Sequence, residues 1–129
     1  MEQKEYLEVS AKLHEMTPSL IDEGVAILQK DPQLRERYGS GIREIVQQGV
    51  TTLRDVLLGA VQFDYPQLLG NELIWLEKLL ESRQLNPQTL RAHLDHFRDR
   101  LSRDLPPAYS GKVLAVFDQA VSQIKELQP

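Results

Sequence analysis

The chain has 129 residues, a net charge of −4 and no cysteine. A domain of this length can bury a core without disulfides, and the missing cysteines exclude disulfides, thiolate metal ligands and a cysteine nucleophile. Apolar residues make up 41% of the chain and charged residues 26%, which is typical of a globular protein and argues against disorder.

The distribution of charge and hydropathy limits the possible partners. Residues 1–36 carry eight acids and four bases, whereas the remaining residues carry eleven of each. No basic stripe forms on any predicted face, so we expect no nucleic-acid partner. The longest apolar stretch, Val56 to Val61, is far shorter than the roughly 20 residues of a membrane-spanning helix. The N-terminus lacks the pattern of a secretory signal, so we expect no membrane partner and a cytoplasmic location.

Helix-start signals, in which a short polar residue precedes proline, divide the first third of the chain. A polar side chain can accept a hydrogen bond from an orphan N–H at a helix start, where proline costs nothing. Thr17-Pro18 and Asp31-Pro32 carry this signal. They predict three short helices, over Glu2 to Met16, Pro18 to Lys30 and Pro32 to Gly39. The apolar stripe of the first is thin, so residues 1–38 are predicted to form an N-terminal helical arm.

The fourth predicted helix, from about Ile42 to Val61, has the clearest amphipathic pattern. Its apolar residues fall in one arc about 120° wide, which is the width of a core-facing stripe. Gly49 lies inside that arc, where glycine costs roughly 1 kcal/mol relative to alanine. We therefore predict that another helix crosses closely at Gly49.

The rest of the chain predicts three further helices and no strand. Asp64-Tyr65-Pro66 opens the fifth, Asn86-Pro87 opens the sixth, and Leu105-Pro106-Pro107 separates the sixth from the seventh. The fifth is predicted to end near Arg83 and the seventh near Leu127. Short connections favour antiparallel packing of successive helices. The prediction is one all-α domain over residues 1–129. It is an antiparallel bundle with a globin-like or four-helix core over 40–129 and the N-terminal helices packed across it.

No catalytic or metal-binding motif is present. The glycines of Gly39-Ser40-Gly41 join two helices without a preceding strand, so they indicate a helix end rather than a phosphate loop. His93 and His96 lie three residues apart but on different parts of the helix surface, and a metal usually needs three or four ligands. We therefore expect no catalytic residue, metal site or cofactor, and a protein that is not an enzyme.

Glu72 falls in the middle of the apolar arc of the fifth helix. A carboxylate at such a position must be paired, hydrogen-bonded, protonated or turned toward a cavity or partner, because burying it alone costs several kcal/mol. Two interpretations stay open. Glu72 pairs with Arg54, His93 or a tyrosine across the bundle, or it contacts a ligand.

Ile74 and Trp75 lie away from the core side of the fifth helix, and Leu58 is a possible third member of the same surface. These side chains could be covered by the N-terminal helices. Otherwise they form an exposed apolar patch of the kind that marks an interface.

Four local features follow one another along the chain from Leu53 onward. They are Leu53-Arg54-Asp55 within one helix, an acidic turn at Asp64, a helix ending in Leu79-Leu80-Glu81-Ser82-Arg83, and the turn Leu85-Asn86-Pro87. In this layout the chain resembles the C-terminal half of phycobiliprotein and globin-like helical domains. Members that carry a bilin attach it to cysteine, so the resemblance implies a chromophore-free relative. Such domains occur as sensor or adaptor modules in bacterial signalling, and similar small helical domains regulate kinases and phosphatases by docking.

The resulting functional expectation is a non-enzymatic sensor or adaptor that acts through protein–protein contact in bacterial regulation, as a homodimer or with another protein. Trp75, Ile74 and Leu58 are the expected contact residues. The alternative is a binding domain for a tetrapyrrole or another apolar small molecule. Its pocket would lie between the fourth, fifth and sixth predicted helices, with Glu72 and His93 as its polar groups.

Overall fold

The computed structural model describes residues 1–124, of which 85% are helical and none is in a strand. The all-α prediction is therefore confirmed. The helices are α1 (Gln3–Leu28), α2 (Pro32–Tyr38), α3 (Ile42–Gln62), α4 (Gln67–Ser82), α5 (Pro87–Asp104) and α6 (Pro107–Val121), with a 3₁₀ turn at Gly39–Gly41. None of the described helices combines the length and apolar character that crossing a membrane requires. Leu127, the predicted end of the last helix, lies outside the described residues.

Two of the predicted helix starts are confirmed by side-chain caps. The Asp31 carboxylate accepts a hydrogen bond from the backbone N–H of Gln33 at 2.9 Å, and the Asn86 side chain accepts one from Gln88 at 2.9 Å. A proline follows each cap at the start of α2 and of α5. The predicted break at Asp64-Tyr65-Pro66 is confirmed, since α4 begins at Gln67, but Asp64 is not the cap of this helix. Asp64 adopts a left-handed conformation in the preceding turn, with φ of 50°, and α4 starts without a side-chain cap.

The predicted break at Thr17-Pro18 is also wrong, because α1 runs through it without interruption. Thr17 is buried, and its hydroxyl donates to the carbonyl of Leu13 at 2.7 Å, so this side chain bonds backward along the helix instead of capping a new one. Proline inside a helix costs about 3 kcal/mol. Burial on both sides of the proline offsets that cost, since Leu13 and Leu20 are each at most 2% exposed.

Helix α1 is part of the core, which corrects the prediction of an N-terminal arm over residues 1–38. It packs along α3 and α5. The pairs Gly24–Val46 and Thr17–Arg54 show that α3 runs antiparallel to it. Gly24 of α1 lies beside Val46, while Thr17 accepts a hydrogen bond from Arg54 at 3.2 Å. Core side chains along the length of α1 are Val9, Leu13, Met16, Leu20 and Val25.

The bundle has two halves with different packing. The closed half contains α6 and residues 50–62 of α3, 67–73 of α4 and 94–104 of α5. Its centre is the pair Phe97 and Phe117, whose rings are stacked with their centroids 5.9 Å apart and are each 1% exposed. The open half contains α2, residues 42–49 of α3, 76–82 of α4 and 87–93 of α5, and the turn between α4 and α5. The candidate site lies in the open half.

The close helix approach predicted at Gly49 occurs at Gly24 instead. A Cβ atom on Gly24 would lie 2.8 Å from Cγ1 of Val46 and 2.9 Å from Cε1 of His93, so α1, α3 and α5 meet there too tightly for a side chain. Gly49 is exposed. Apart from its two chain neighbours and the nearby backbone of α3 itself, no described atom lies within 4 Å of where its Cβ would be. A side chain at Gly49 would therefore meet open space, whereas one at Gly24 would collide with neighbouring helices.

Candidate ligand pocket

A cavity of about 390 Å³ lies in the open half of the bundle. Residues of α1 to α5 and of the turn between α4 and α5 line it, and most of their side chains are apolar. The principal apolar wall residues are Ile45, Val46, Leu76, Leu79, Leu80 and Leu90. A concave, mainly apolar site of this size is typical of small-molecule pockets, which span roughly 300–1,000 Å³.

The pocket arises because one leucine face of α4 meets different surroundings along its length. Leu69 and Leu73, in the first half of the helix, are buried against the core at 0% and 1% exposure. Leu76 and Leu80 continue the same face by helical period but are only half-buried, and they line the cavity. The apolar character of α4 thus builds core in one half and pocket wall in the other.

Gly49 helps to form this cavity by lacking a side chain. It lines the pocket on α3, one turn from the wall residues Ile45 and Val46. Ile45 belongs to the apolar arc that predicts a core-facing stripe on this helix, but it is 41% exposed and lines the pocket. A larger residue at Gly49 would project into the space that a ligand would use.

His93 is a polar residue of the pocket whose ring is largely buried. Its ring edge carrying Nδ1 and Cε1 faces Gly24, at 3.3 Å and 2.9 Å from the position of a Cβ there. Nδ1 is buried without a hydrogen-bond partner among the described residues. Buried donors are left unpaired less often than acceptors, so we assign the proton of the neutral ring to Nε2. His93 then offers one N–H donor on the side away from Gly24.

Burial keeps the His93 ring neutral. Loss of hydration, with a smaller contribution from the charge of His96, lowers the pKa of His93 to about 4. At neutral pH the ring therefore adds a hydrogen-bonding group to the pocket without adding a charge. A neutral imidazole is compatible with an apolar ligand, whereas an imidazolium would oppose one.

Arg83 is exposed and lines the cavity, so the cavity reaches solvent where α2 meets the end of α4, and we call this place the pocket mouth. We call Arg37, Tyr38 and Arg83 the mouth residues. Arg37 donates to the carbonyl of Arg83 at 2.5 Å, and the Arg83 guanidinium donates to the Tyr38 hydroxyl at 3.4 Å. Tyr38 and Arg83 both line the cavity. Gln33 also donates to the carbonyl of Gln84 at 2.9 Å, so two side chains of α2 hold the end of α4.

Of the two predicted polar groups, the structure places only His93 in the pocket. Glu72 is half-buried on the first half of α4 and does not line the cavity. The proposed pairing of Glu72 with Arg54 is not formed either, because Arg54 donates to Asp55 at 2.8 Å and to Thr17 at 3.2 Å. The prediction that Glu72 and His93 share a site is therefore wrong. The leucines of α4 line the pocket only from Leu76 onward, in the half of the helix that follows Glu72.

His96 belongs to an ionic network between α1 and α5. Its ring bonds to the Glu23 carboxylate, which also accepts hydrogen bonds from Arg100 at 2.5 and 2.7 Å. Burial raises the pKa of Glu23, but hydrogen bonds from Arg100 and His96 outweigh it and lower the pKa overall. Arg100 also donates to Asp104 at 2.7 Å. No group of three or more His, Asp or Glu residues suited to a metal occurs within residues 1–124.

The three predicted contact residues are distributed over different environments. Trp75 is 58% exposed and Ile74 is half-buried. Leu58 is 5% exposed and belongs to the main core, which corrects its assignment to a surface patch. Its side chain packs inside the bundle because α1 and the later helices enclose α3 from several sides.

The mouth residues were not identified from the sequence. The only local signal is that Arg37 and Arg83 have no acidic residue three or four positions away. Arg43 and Arg54 share this property, yet each pairs with a carboxylate, Arg43 with Asp22 across the bundle. Only the tertiary structure shows which of these arginines have a carboxylate nearby and which do not.

Comparison with known proteins adds no relative to this picture: neither a family model, nor a curated protein, nor a solved structure matches the chain.

Proposed function

We propose that this domain is a binding module for an apolar small molecule, held in the pocket of the open half. The observation that carries the proposal is the 390 Å³ cavity with apolar walls from several helices and one neutral, largely buried histidine. Removing an apolar ligand from water would supply most of the affinity. The neutral ring of His93 would line the pocket without placing a charge against the ligand.

Binding in this pocket would act on the junction between α2 and the turn from α4 to α5. This junction is held by side-chain hydrogen bonds, including Thr89 to Asp31 at 2.7 Å and Gln33 to the Gln84 carbonyl. A ligand that contacts both sides would favour the docked state of α2, because ligands shift a protein toward the state they bind better. Such a module would work as a sensor, in keeping with the resemblance to chromophore-free globin-like domains in bacterial signalling.

The test is to fill the pocket at Gly49. Gly49→Leu places a side chain in the cavity, and Gly111→Leu is the matched control on α6, because both glycines are exposed, helical and free of described neighbours at the Cβ position. Binding of the neutral fluorescent probe N-phenyl-1-naphthylamine is measured by titration. We expect at least a tenfold loss of probe affinity in Gly49→Leu and none in Gly111→Leu. Equal binding by both variants would contradict the proposal.

A second candidate function, a protein-contact adaptor or homodimer, is favoured by the exposed apolar side chains near the start of α4. Phe63, Tyr65, Leu68 and Trp75 are 71%, 52%, 40% and 58% exposed, and they fall within one short segment. Leu68 and Trp75 share a helix face two turns apart. Clusters of exposed aromatic and aliphatic side chains are typical of interfaces.

This candidate is tested with the double variant Leu68→Gln/Trp75→Gln, using Leu7→Gln as control because Leu7 is similarly exposed, at 55%, on α1. The molar mass is measured by light scattering at micromolar concentration. For a homodimer we expect the double variant to lower the mass while the control keeps it. A wild-type protein that is monomeric throughout would exclude self-association and leave a different protein as the partner.

A further inference from the structure

The pocket and its mouth differ in chemistry. Leucines, isoleucine and valine form the walls, and the one polar group placed deep among them, His93, is neutral. At the mouth, the Arg83 guanidinium lies on the Tyr38 hydroxyl, and Arg37 lies on the Arg83 carbonyl. An apolar space that opens onto positive charge fits a molecule with an apolar body and a negative end.

No carboxylate among residues 1–124 forms an ion pair with the arginines at the mouth. Six of the nine arginines form ion pairs with described carboxylates, and they are Arg43, Arg54, Arg91, Arg98, Arg100 and Arg103. The other three, Arg35, Arg37 and Arg83, have no carboxylate within ion-pair distance among residues 1–124, and of these only Arg83 lines the cavity. This contrast is notable in a chain of net charge −4, where acids outnumber bases. The guanidinium groups at the mouth therefore remain available to an anionic ligand.

The size of the cavity limits the apolar part. At about 390 Å³ it lies near the lower end of the range for ligand pockets. The leucines of the second half of α4 form an extended wall, since Leu76 and Leu80 are one helical turn apart on the same face. This shape favours one alkyl chain over a tetrapyrrole.

We infer that the ligand is a free, single-chain amphiphile with a carboxylate head, bound with its chain along the α4 leucines and its head at Arg83. This inference rests on the proposed binding function and adds the ligand class. The carboxylate would accept hydrogen bonds from the Arg83 guanidinium, with the Tyr38 hydroxyl as a further donor. The chain would pass toward His93.

The experiment compares dodecanoate with 1-dodecanol, which has the same chain and an uncharged head. Each is titrated against bound N-phenyl-1-naphthylamine at neutral pH, below the concentration at which dodecanoate forms micelles. We expect dodecanoate to displace the probe at a roughly tenfold lower concentration than dodecanol, because a charge-assisted hydrogen bond at a half-open site is worth about that factor. The preference should shrink at high salt.

Three variants locate the head group. Arg83→Gln should remove the preference for dodecanoate, whereas Arg83→Lys should keep most of it. Arg35→Gln is the control for net charge, because Arg35 is also an exposed arginine without an ion pair among the described residues but does not line the cavity. Unchanged dodecanol affinity in Arg83→Gln shows that its pocket is intact.

The outcomes separate this inference from the proposed function. If the probe and dodecanol bind but dodecanoate binds no better, or if Arg83→Gln and Arg35→Gln lose the preference equally, the head-group assignment is wrong and the pocket remains a binding site. If neither the probe nor either amphiphile binds, the proposed function itself is wrong. Displacement that begins only when dodecanoate forms micelles, or that needs phospholipid vesicles, would also overturn the inference.

Discussion

The closed and open halves of the bundle share α3, α4 and α5 and the same kind of residue, but they are packed differently. In the closed half, Leu69 and Leu73 of α4 are buried, and α6 packs against α3, α4 and α5 around Phe117. In the open half, Leu76 and Leu80 face a cavity, and none of its lining residues comes from the described part of α6. An apolar helix face therefore becomes core or pocket wall according to the helix placed opposite it.

The boundary between the halves is a close approach of three helices. Gly24 lets α1 approach Val46 and His93 at distances that exclude a side chain. Immediately beside it, Glu23 binds His96 and Arg100 of α5. This boundary fixes His93 at the inner end of the pocket and separates the cavity from the solid core. The difference between the halves can be tested by substitutions on each side of it.

The largest effect is expected at Phe97. Phe97→Ala removes a ring that is 1% exposed and stacked on Phe117, so it should lower the free energy of unfolding by about 3–5 kcal/mol. Leu76→Ala, in the half-buried pocket wall, should cost about 1 kcal/mol, because the cavity is already open there. Chemical denaturation of the two variants gives both values. Equal losses would mean that the open half is packed like the closed half.

A slightly smaller change in the free energy of unfolding is expected when the pH is lowered and His93 takes up a proton. The unfolded chain gains a proton near pH 6.5, but the folded chain does so only near the lowered pKa of about 4. The contribution of His93 is therefore fully present above pH 6.5 and is lost as the pH falls to 4, by about 3 kcal/mol in total.

His93→Gln isolates this effect because it keeps a polar, uncharged side chain. The difference in unfolding free energy between wild type and variant is followed from pH 7 to pH 4. The wild type should lose more stability than the variant over this interval, although Glu23 and other carboxylates reduce the stability of both at the acid end. Parallel curves would show that the folded protein protonates His93 as readily as the unfolded chain.

Local signals in the sequence were sufficient for most helices and for one polar group of the pocket. Caps at Asp31 and Asn86 act within two or three residues of themselves, so α2 and α5 could be placed without knowing the fold. Thr17-Pro18 carries the same local signal, but burial of α1 on both sides of the proline overrides it. His93 could be named as a pocket group because it lies at the edge of the α5 seam.

The remaining features depend on which helices become neighbours. Gly24 and Gly49 are both glycines within apolar helices, and the sequence does not distinguish them. Only the crossing of α1 with α3 and α5 places neighbouring side chains against Gly24 and none against Gly49. Glu72 and Leu76 lie four residues apart on α4, yet only Leu76 reaches the cavity. The charge at the mouth likewise follows from the absence of a carboxylate near Arg83 among the described residues, which no local pattern encodes.

A smaller effect is expected at the boundary itself. Gly24→Ala forces a methyl group to within 3 Å of Val46 and of His93, two side chains with little freedom to move away. Overpacking of this kind typically costs about 1–3 kcal/mol, reduced here by the better helix propensity of alanine. Thermal and chemical denaturation should show the loss. A variant as stable as the wild type would mean that α1 can shift without disturbing the pocket.

The smallest effect, and the only gain, is expected from Gly49→Ala. Alanine should raise the free energy of unfolding by up to about 1 kcal/mol, because the methyl group meets open space in the middle of α3 and the helix propensity improves. The same substitution at Gly24 should act in the opposite direction, so the two variants form a pair that differs only in the surroundings of one methyl group. A loss of stability in Gly49→Ala would show that another helix does cross at this point. The open half would then be closed in solution, and the pocket would have no room for a ligand.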